Sequence, residues 1–532
     1  MSAFPKLIDF RGGVSPHYNK AVSTTEPIEV APIPSKLVIP MAQSAGEAAR
    51  PTVEAGQRVL KGERIGAALQ SNATAVHAST SGTVIAVGPE RMPHPSGLEA
   101  IAVTIEPDGK DEWIPHEPVD MSLQSPESLL GLLQQAGLVG LGGAAFPSHL
   151  KLTPACFSTT KVLIINGAEC EPYITCDDML MRERAPGIVR GVAIIAQMLQ
   201  AVKVLVGIED NKPQAIEAMR AAIAAANEKF EVAPIPTRYP AGSEKQLIQS
   251  LTGIEVRRGR IPADYCVRCF NVGTALSVHH AIDFGQPLVS RVVTVAGNVA
   301  RPRNYEVLIG TPMDALVALA GPADDTDRYI MGGPMMGTLL PAFDVPVVKA
   351  TNAVLVGSPA LFPPPPPEQP CFRCGECARV CPISLQPFEL YWYSRARSFD
   401  KLGRYHLFDC IECGCCAYVC PAHIPLVDYY RFAKSEIRAQ ERDQRAADEA
   451  RERFEFRTLR QEREKQEKAA RLAAKAAETR AKLAAGGASP ATDAEAERKK
   501  ALVAEAVARA KAAREAAQPA GDASAAPPKA PE

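Results

Sequence analysis

No stretch of this 532-residue sequence approaches the roughly 18–20 consecutive apolar residues that span a bilayer. No membrane-crossing helix is therefore expected, and any hold on a membrane must come through partners. The opening run MSAFPKLIDFRGG lacks a basic stretch followed by an apolar core. It does not read as a secretory signal, and the chain is expected on the cytoplasmic side. An excess of one charge is missing as well. The 59 Lys and Arg face 60 Asp and Glu, a formal net charge of −1, which argues against a broad nucleic-acid surface. What remains is an ordinary soluble composition, 46% hydrophobic and 22% charged, with room for three or four domains. Cysteine is not scarce. Fourteen are present, most in tight C-x-x-C runs, and without a secretory signal that usage points to metal ligation rather than disulfides.

Along the chain, residues 1–35 form a docking segment, and 36–122 read as short strands between regular glycine turns. In VEAGQRVLKGERIG, Gly56 and Gly62 fall at turns between alternating apolar positions, and the pattern continues in VHASTSGTVIAV. This resembles the barrel-sandwich hybrid of lipoyl and biotinyl carriers. The hairpin NATAVHASTSG has no lysine to modify, so a structural or docking module is expected instead of a swinging arm. Residues 123–290 alternate helical and strand patterns, which predicts an α/β layer architecture. Residues 291–361 read as a compact β-rich unit of the β-grasp kind, with GGPMMG as a glycine turn. A stiff proline-rich linker, 362–370, sets off residues 371–435. From 436 to 532 the composition is Ala, Glu, Lys, Arg and Gln, predicting a solvated helix and a disordered end without a coiled-coil seam.

Two cysteine runs match C-x2-C-x2-C-x3-C-P. They are CFRCGECARVCP, with Cys371, Cys374, Cys377 and Cys381, and CIECGCCAYVCP, with Cys410, Cys413, Cys416 and Cys420. In two-cluster ferredoxins the fourth cysteine of each run ligates the other cluster. The expected sets are therefore Cys371, Cys374, Cys377 and Cys420 for one [4Fe–4S] cluster, and Cys410, Cys413, Cys416 and Cys381 for the second. Zinc sites more often use two ligand pairs across a longer loop. Cys415 breaks the spacing and is expected to point away as a small apolar residue. Cys266 and Cys269 form a lone C-x-x-C read as ordinary thiols, and Cys156, Cys170 and Cys176 read as bystanders.

The glycine-rich GLGGAAFPSHLKL, residues 140–152, fits the dinucleotide fingerprint G-x-G-x-x-[GA] through Gly140, Gly142 and Ala145. Its context does not. A helical pattern precedes the loop, Pro147 follows it, and the strand-like KVLIIN comes after it rather than before. The fingerprint reading fails, although such a loop can still bring backbone N–H groups to a phosphate.

Clusters that move single electrons need a two-electron converter, which a flavin provides. GLVGLGGAAFPSHLKL, NGAECEPYITCDD, YPAGSEKQLI and NVGTA, followed by the β-grasp unit and the cysteine runs, resemble the flavin-bearing NADH subunit of respiratory complex I. With the early Gly12, Gly13, Val14 and Pro16, the lipoyl-like unit and two cysteine runs, the chain more closely resembles the RnfC family of Rnf ion-translocating electron-transport complexes, over roughly residues 5–430. The resemblance implies an α/β multidomain chain. Its parts would be a barrel-sandwich hybrid, a complex-I-type FMN/NADH domain, a β-grasp domain, a ferredoxin-like two-cluster module and a helical tail.

It also implies site residues. Gly140, Gly142, Gly143 and Ala144 would surround FMN, with Lys151 as its cationic partner. Asn166, Glu169, Asn271 and Thr274 would contact the flavin. Phe146 would stack on NADH, Glu171 would face the nicotinamide nucleotide, and Glu244 would lie between flavin and nucleotide. The pattern departs from complex I at Leu141, Ala145 and Ala168, which implies a weaker hold on FMN. The function implied is an NADH-handling, FMN- and iron–sulfur-containing subunit of a membrane-bound, ion-translocating ferredoxin:NAD oxidoreductase. It would sit peripherally on the cytoplasmic face of the inner membrane, beside other subunits and linked indirectly to ferredoxin. A cobalamin reductase and an iron–sulfur adaptor with an empty flavin site stand as alternatives.

Overall fold

A computed structural model of the chain describes residues 7–153, 160–485 and 493–516, so Cys156 lies outside the described residues. The chain divides into two compact units, one ending at Arg438 and one beginning at Ala439.

The first unit opens with the barrel. A four-stranded sheet runs in the order Leu37–Pro40, Glu99–Pro107, Gly82–Arg91, Arg58–Val59. A three-stranded sheet of Arg50–Pro51, Arg64–Ala67 and Val76–His77 faces it. Alternating residues Leu37, Ile39, Val59, Ile65, Val84, Val103 and Ile105 fill the space between, all fully buried. Residues 73–81, where a carrier would present its lysine, are buried throughout. Ser79 Oγ donates to Ile309 O at 2.7 Å, and Ala75 N donates to Gln134 O at 3.1 Å. The hairpin is wedged into neighbouring modules, which fits the expected structural role.

The α/β module contributes α1 (Pro126–Gln135), α2 (Ser148–Leu152), α3 (Cys176–Leu199), α4 (Pro213–Ala225), α5 (Glu244–Thr252) and α6 (Val272–Asp283). Its four parallel strands lie in the order Glu231–Ile235, Lys203–Glu209, Val162–Gly167, Val267–Asn271. Helices cover both faces, so Val162–Gly167 and Lys203–Glu209 read as nearly unbroken apolar runs. Numbered along the chain, the strand order is 3-2-1-4, and the direction of winding reverses between Val162–Gly167 and Val267–Asn271. Open α/β sheets bind ligands at that reversal, outside the carboxyl ends of the strands. The sheet therefore offers a crevice at the ends of Val162–Gly167 and Val267–Asn271, and the glycine loop 140–146 sits between α1 and α2 rather than between strand and helix. α3 and α6 cross closely at Gly191, where a Cβ would lie 1.8 Å from Ala275 O. α3 also kinks at Arg184 (φ −127°, ψ 25°), two residues before Pro186.

The β-grasp unit is a mixed sheet whose first strand, Ser290–Gly297, pairs in parallel with its last, Ala353–Gly357. Arg303–Leu308 flanks one side, and Arg328–Met331 with Thr338–Leu339 the other. Glu29–Val30 from the N-terminal segment adds a parallel edge strand. The cysteine module follows, built on the short helices Glu376–Arg379 and Cys415–Tyr418. In the second unit, exposed helix carries i,i+4 pairs such as Arg460–Glu464 and Arg463–Glu467, as expected for a polar solvated segment. No described helix is long and apolar enough to cross a membrane.

Candidate functional site

The crevice is assembled at the strand ends. Asn166 and Asn271 are register partners on the two strands that flank the reversal. Asn271 caps α6, its Oδ1 accepting from Gly273 N at 2.8 Å and Thr274 N at 3.3 Å, while its amide donates to Asp177 Oδ2 at 2.6 Å. Thr274 Oγ1 accepts from Leu141 N at 2.9 Å and so ties the glycine loop to the start of α6. Gly142 faces Asn271, where a Cβ would lie 3.5 Å from its side chain. Gly143 has φ +110° and open space beside it, a conformation that favours glycine. Gly142, Gly143 and Ala144 are exposed, as is Phe146, while Gly140 N donates to Phe146 O at 2.8 Å and closes the loop. An open glycine loop beside the first turn of α6 suits a phosphate.

Lys151 Nζ pairs with Glu244 Oε1 at 2.6 Å, with the ammonium 5.5 Å from the Phe270 ring centroid. Asn166 donates to Gly242 O at 2.8 Å and accepts from Ala168 N at 3.1 Å, pinning two loops at once. The other two acidic residues are engaged by backbone. Glu169 accepts from Asp177 N at 2.7 Å and Asp178 N at 3.2 Å and thereby caps α3. Glu171 accepts from Met336 N at 2.7 Å and Met335 N at 3.2 Å, in the GGPMMG turn of the β-grasp unit. Burial pushes both carboxyls up, Glu171 to about 7. Neither therefore sets a strongly solvated negative charge against a phosphate. Leu141, Ala145 and Ala168 are buried and apolar. At Gly273 a Cβ would lie 3.5 Å from the Leu141 side chain, so packing occupies these positions. Residues and crevice together fit a phosphate-bearing planar cofactor.

The two cysteine runs repeat one backbone course. Left-handed residues recur at Arg373 and Glu412, Gly375 and Gly414, Ser384 and His423. This repetition brings Cys371, Cys374, Cys377 and Cys420 around one pocket. Cys381 joins Cys410, Cys413 and Cys416 around a second. Leu385 N and Glu412 N donate to the Cys381 and Cys410 sulfurs at 3.3 and 3.4 Å. Burial holds Cys377 and Cys410 near 11, as expected of thiols that ionise only on a metal.

Cys415 is fully buried beside Val14, Cys170, Tyr239 and Val380. That packing suits the small apolar role expected of it, although it is also among the residues around the second pocket. Cys170 shares that interface, and Cys176 lies within 4.8 Å of Glu169 and Asp177 in ligand-atom spacing, so neither stands apart from the site. Cys269 is buried in the Val267–Asn271 strand, and Cys266 occupies a turn at φ +58°.

The second pocket abuts the crevice. Tyr239 Oη donates to Cys413 O at 2.6 Å, and a Cβ on Gly414 would lie 2.8 Å from Met335 O, in the turn that holds Glu171. The first pocket faces outward, with Cys374 exposed and the Phe372 ring 65% exposed.

The sequence also matches known proteins. The RnfC subunit of the ion-translocating oxidoreductase complex of Pseudomonas aeruginosa is 48% identical over 464 residues, covering 87% of this chain and 60% of that protein. The chain belongs to the RnfC family. The subunit of the same name in Vibrio cholerae is 44% identical over 504 residues, covering 94% of this chain and 65% of that one. The chain thus spans about three-fifths of the length of these relatives. Four family descriptions match in order. They are the RnfC barrel sandwich hybrid domain at 8–110, the Nuo51 FMN-binding domain at 133–280, the SLBB domain at 292–339 and the 4Fe-4S dicluster domain at 370–424. An NAD+-reducing [NiFe]-hydrogenase structure aligns at TM-score 0.41 and 23% identity, over 53% of this chain and 54% of its own.

Spacing alone did not reveal the cations behind the crevice, Lys212 and Arg291 buried and Lys20 half-buried. Lys20, Lys212 and Arg291 each donate to carbonyls of the loops that form it. They come from three distant segments, and no local pattern marks them.

Proposed function

We propose that the chain passes electrons between a nicotinamide nucleotide, FMN and two [4Fe–4S] clusters. It would do so as a peripheral subunit of an Rnf-type complex on the cytoplasmic face of the inner membrane. One observation carries the reading: each cysteine pocket gathers the first three motif cysteines of one run with the last motif cysteine of the other, Cys415 also lining the second, and the second pocket abuts the strand-end crevice. FMN in that crevice supplies conversion between hydride and single electrons.

The protein's part is to position and insulate. The 140–146 loop, the α6 N-terminus and Lys151 bind the phosphate-bearing end. Phe146 offers an exposed ring for stacking the nicotinamide nucleotide, and Glu244 holds Lys151 in place. Tyr239 fixes the Cys413 carbonyl and so the spacing between crevice and second pocket. The route would run from the crevice to the second pocket, then to the first, whose exposed face would meet partner subunits and, through them, ferredoxin.

An anaerobic NADH titration of the reconstituted chain with FMN supplied tests this. Bleaching of the flavin band followed by reduction of the iron–sulfur absorbance is expected. Clusters that reduce with dithionite and never with NADH would leave an iron–sulfur adaptor instead.

A further inference from the structure

The strand-end loop that follows Val162–Gly167 turns its carbonyls onto two lysines, Lys212 buried and Lys20 half-buried. Lys20 Nζ donates to Glu169 O at 2.7 Å, Glu171 O at 2.9 Å and Ile174 O at 2.5 Å. Three acceptors around one nitrogen need three N–H donors, which only the ammonium form possesses. Lys212 Nζ donates to Ala168 O at 2.7 Å, Glu209 Oε2 at 2.6 Å and Asn211 Oδ1 at 3.1 Å. Glu209 therefore compensates Lys212 directly, with both side chains almost wholly inaccessible. All three Lys20 hydrogen bonds end on neutral carbonyls. Desolvation is the largest influence on Lys20 and lowers its pKa; Glu169 and Glu209 oppose that shift and Lys212 adds to it. A half-buried ammonium hydrogen-bonded only to neutral carbonyls still carries a desolvation cost, and an aliphatic side chain would fill the same space without that cost.

The segment that carries Lys20 also reaches the second cysteine pocket. Gly13 N donates to Val380 O at 2.9 Å, and a Cβ on Gly12 (φ +74°) would lie 2.6 Å from the same carbonyl oxygen. One N-terminal strap thus contacts both the strand-end loop and the pocket next to it.

We propose that Lys20 is a positioning residue that fixes the strand-end loop and lends the crevice a standing positive charge, favouring reduced over oxidised flavin. The inference rests on the FMN reading above. Hydride from a reduced nicotinamide nucleotide delivers two electrons and one proton, and the nucleotide leaves oxidised. The ring then bears one more negative charge than before, and a fixed cation beneath the loop stabilises that form more than the neutral one.

The test compares the full chain, reconstituted with clusters and supplied with FMN, as wild type, Lys20→Gln, Lys20→Met and Lys20→Arg. Fluorescence quenching gives the affinity for oxidised FMN, dye equilibration gives the midpoint potential, and thermal melting reports folding. Lys20→Gln keeps donors for the carbonyls without the charge, so it separates clamp from charge. The Gln and Met chains are expected to favour oxidised over reduced FMN at least about tenfold more than wild type. That corresponds to a two-electron midpoint lower by about 30 mV. Lys20→Arg is expected to keep the wild-type potential. A folded Gln chain with unchanged potential, or an Arg chain shifted as far as the Gln chain, would overturn the inference while FMN binding by wild type stands. A wild type that binds no FMN would sink the flavin reading itself, and this inference with it.

Discussion

Replacing Glu171 by glutamine tests whether the crevice and the β-grasp turn are joined as described. Both carboxylate oxygens accept backbone N–H groups of the turn, at 2.7 Å from Met336 and 3.2 Å from Met335. Burial outweighs those bonds and lifts the group from its ordinary 4.5 to about 7. Between these values the folded chain keeps a proton that the unfolded chain has released. Folded protein therefore binds more protons, and stability falls as pH rises through the window, with the full cost present above pH 7.

Over the whole window the loss is about 3 kcal/mol, of which about 1.4 kcal/mol falls between pH 6 and pH 8. Glutamine keeps one carbonyl acceptor for the turn and does not titrate, so any cost of its own is a constant offset. Urea unfolding of both chains at pH 6 and pH 8 isolates the effect. The Glu171→Gln chain is expected to gain about 1.4 kcal/mol on wild type between the two conditions. Parallel pH profiles would refute both the burial of this carboxyl and its direct role in joining the modules.

Other expectations are direct. Cys381→Ser should remove the iron held with Cys410, Cys413 and Cys416 and spare the other pocket, leaving roughly half the iron in a chemical assay. Iron lost instead from the pocket of Cys371, Cys374 and Cys377 would refute the crossed ligation. Gly191→Ala places a Cβ on the Ala275 carbonyl and should lower stability by about 3 kcal/mol or more in chemical unfolding; a neutral effect would contradict the close crossing of α3 and α6. Lys151→Met breaks only a half-exposed ion pair, so stability should change by less than about 1 kcal/mol. FMN binding should weaken about tenfold or more in a fluorescence titration, as expected when a charge-assisted phosphate contact is lost.

The sequence carried what depends on local spacing. The repeated C-x2-C-x2-C-x3-C-P runs pointed to Cys420 lying beside the first run and Cys381 beside the second, and the duplicated backbone course sets them there. The helix before the glycine loop and Pro147 after it ruled out a dinucleotide fingerprint for a local reason. What stayed hidden depends on pairing between distant segments. The reversal that makes a binding crevice exists only once Asn271 aligns with Asn166, and nothing in either strand announces its neighbour. Resemblance brought Glu169 and Glu171 to the site, yet only the fold showed that the α3 N-terminus and the Met335–Met336 turn engage their carboxylates. Lys20 lies 149 residues from its first acceptor, and Cys415 reads as a spare thiol until Val14 and Tyr239 are packed against it.

In the proposed route, electrons leave the crevice through the second cysteine pocket before reaching the first. Anaerobic rapid mixing of NADH with FMN-loaded wild type and Cys381→Ser, read by electron paramagnetic resonance of the reduced clusters, addresses it most directly. Both clusters of wild type are expected to be reduced. In Cys381→Ser, the cluster of Cys371, Cys374, Cys377 and Cys420 should stay oxidised with NADH yet be reduced by dithionite. Reduction of that cluster by NADH at the wild-type rate would contradict the route.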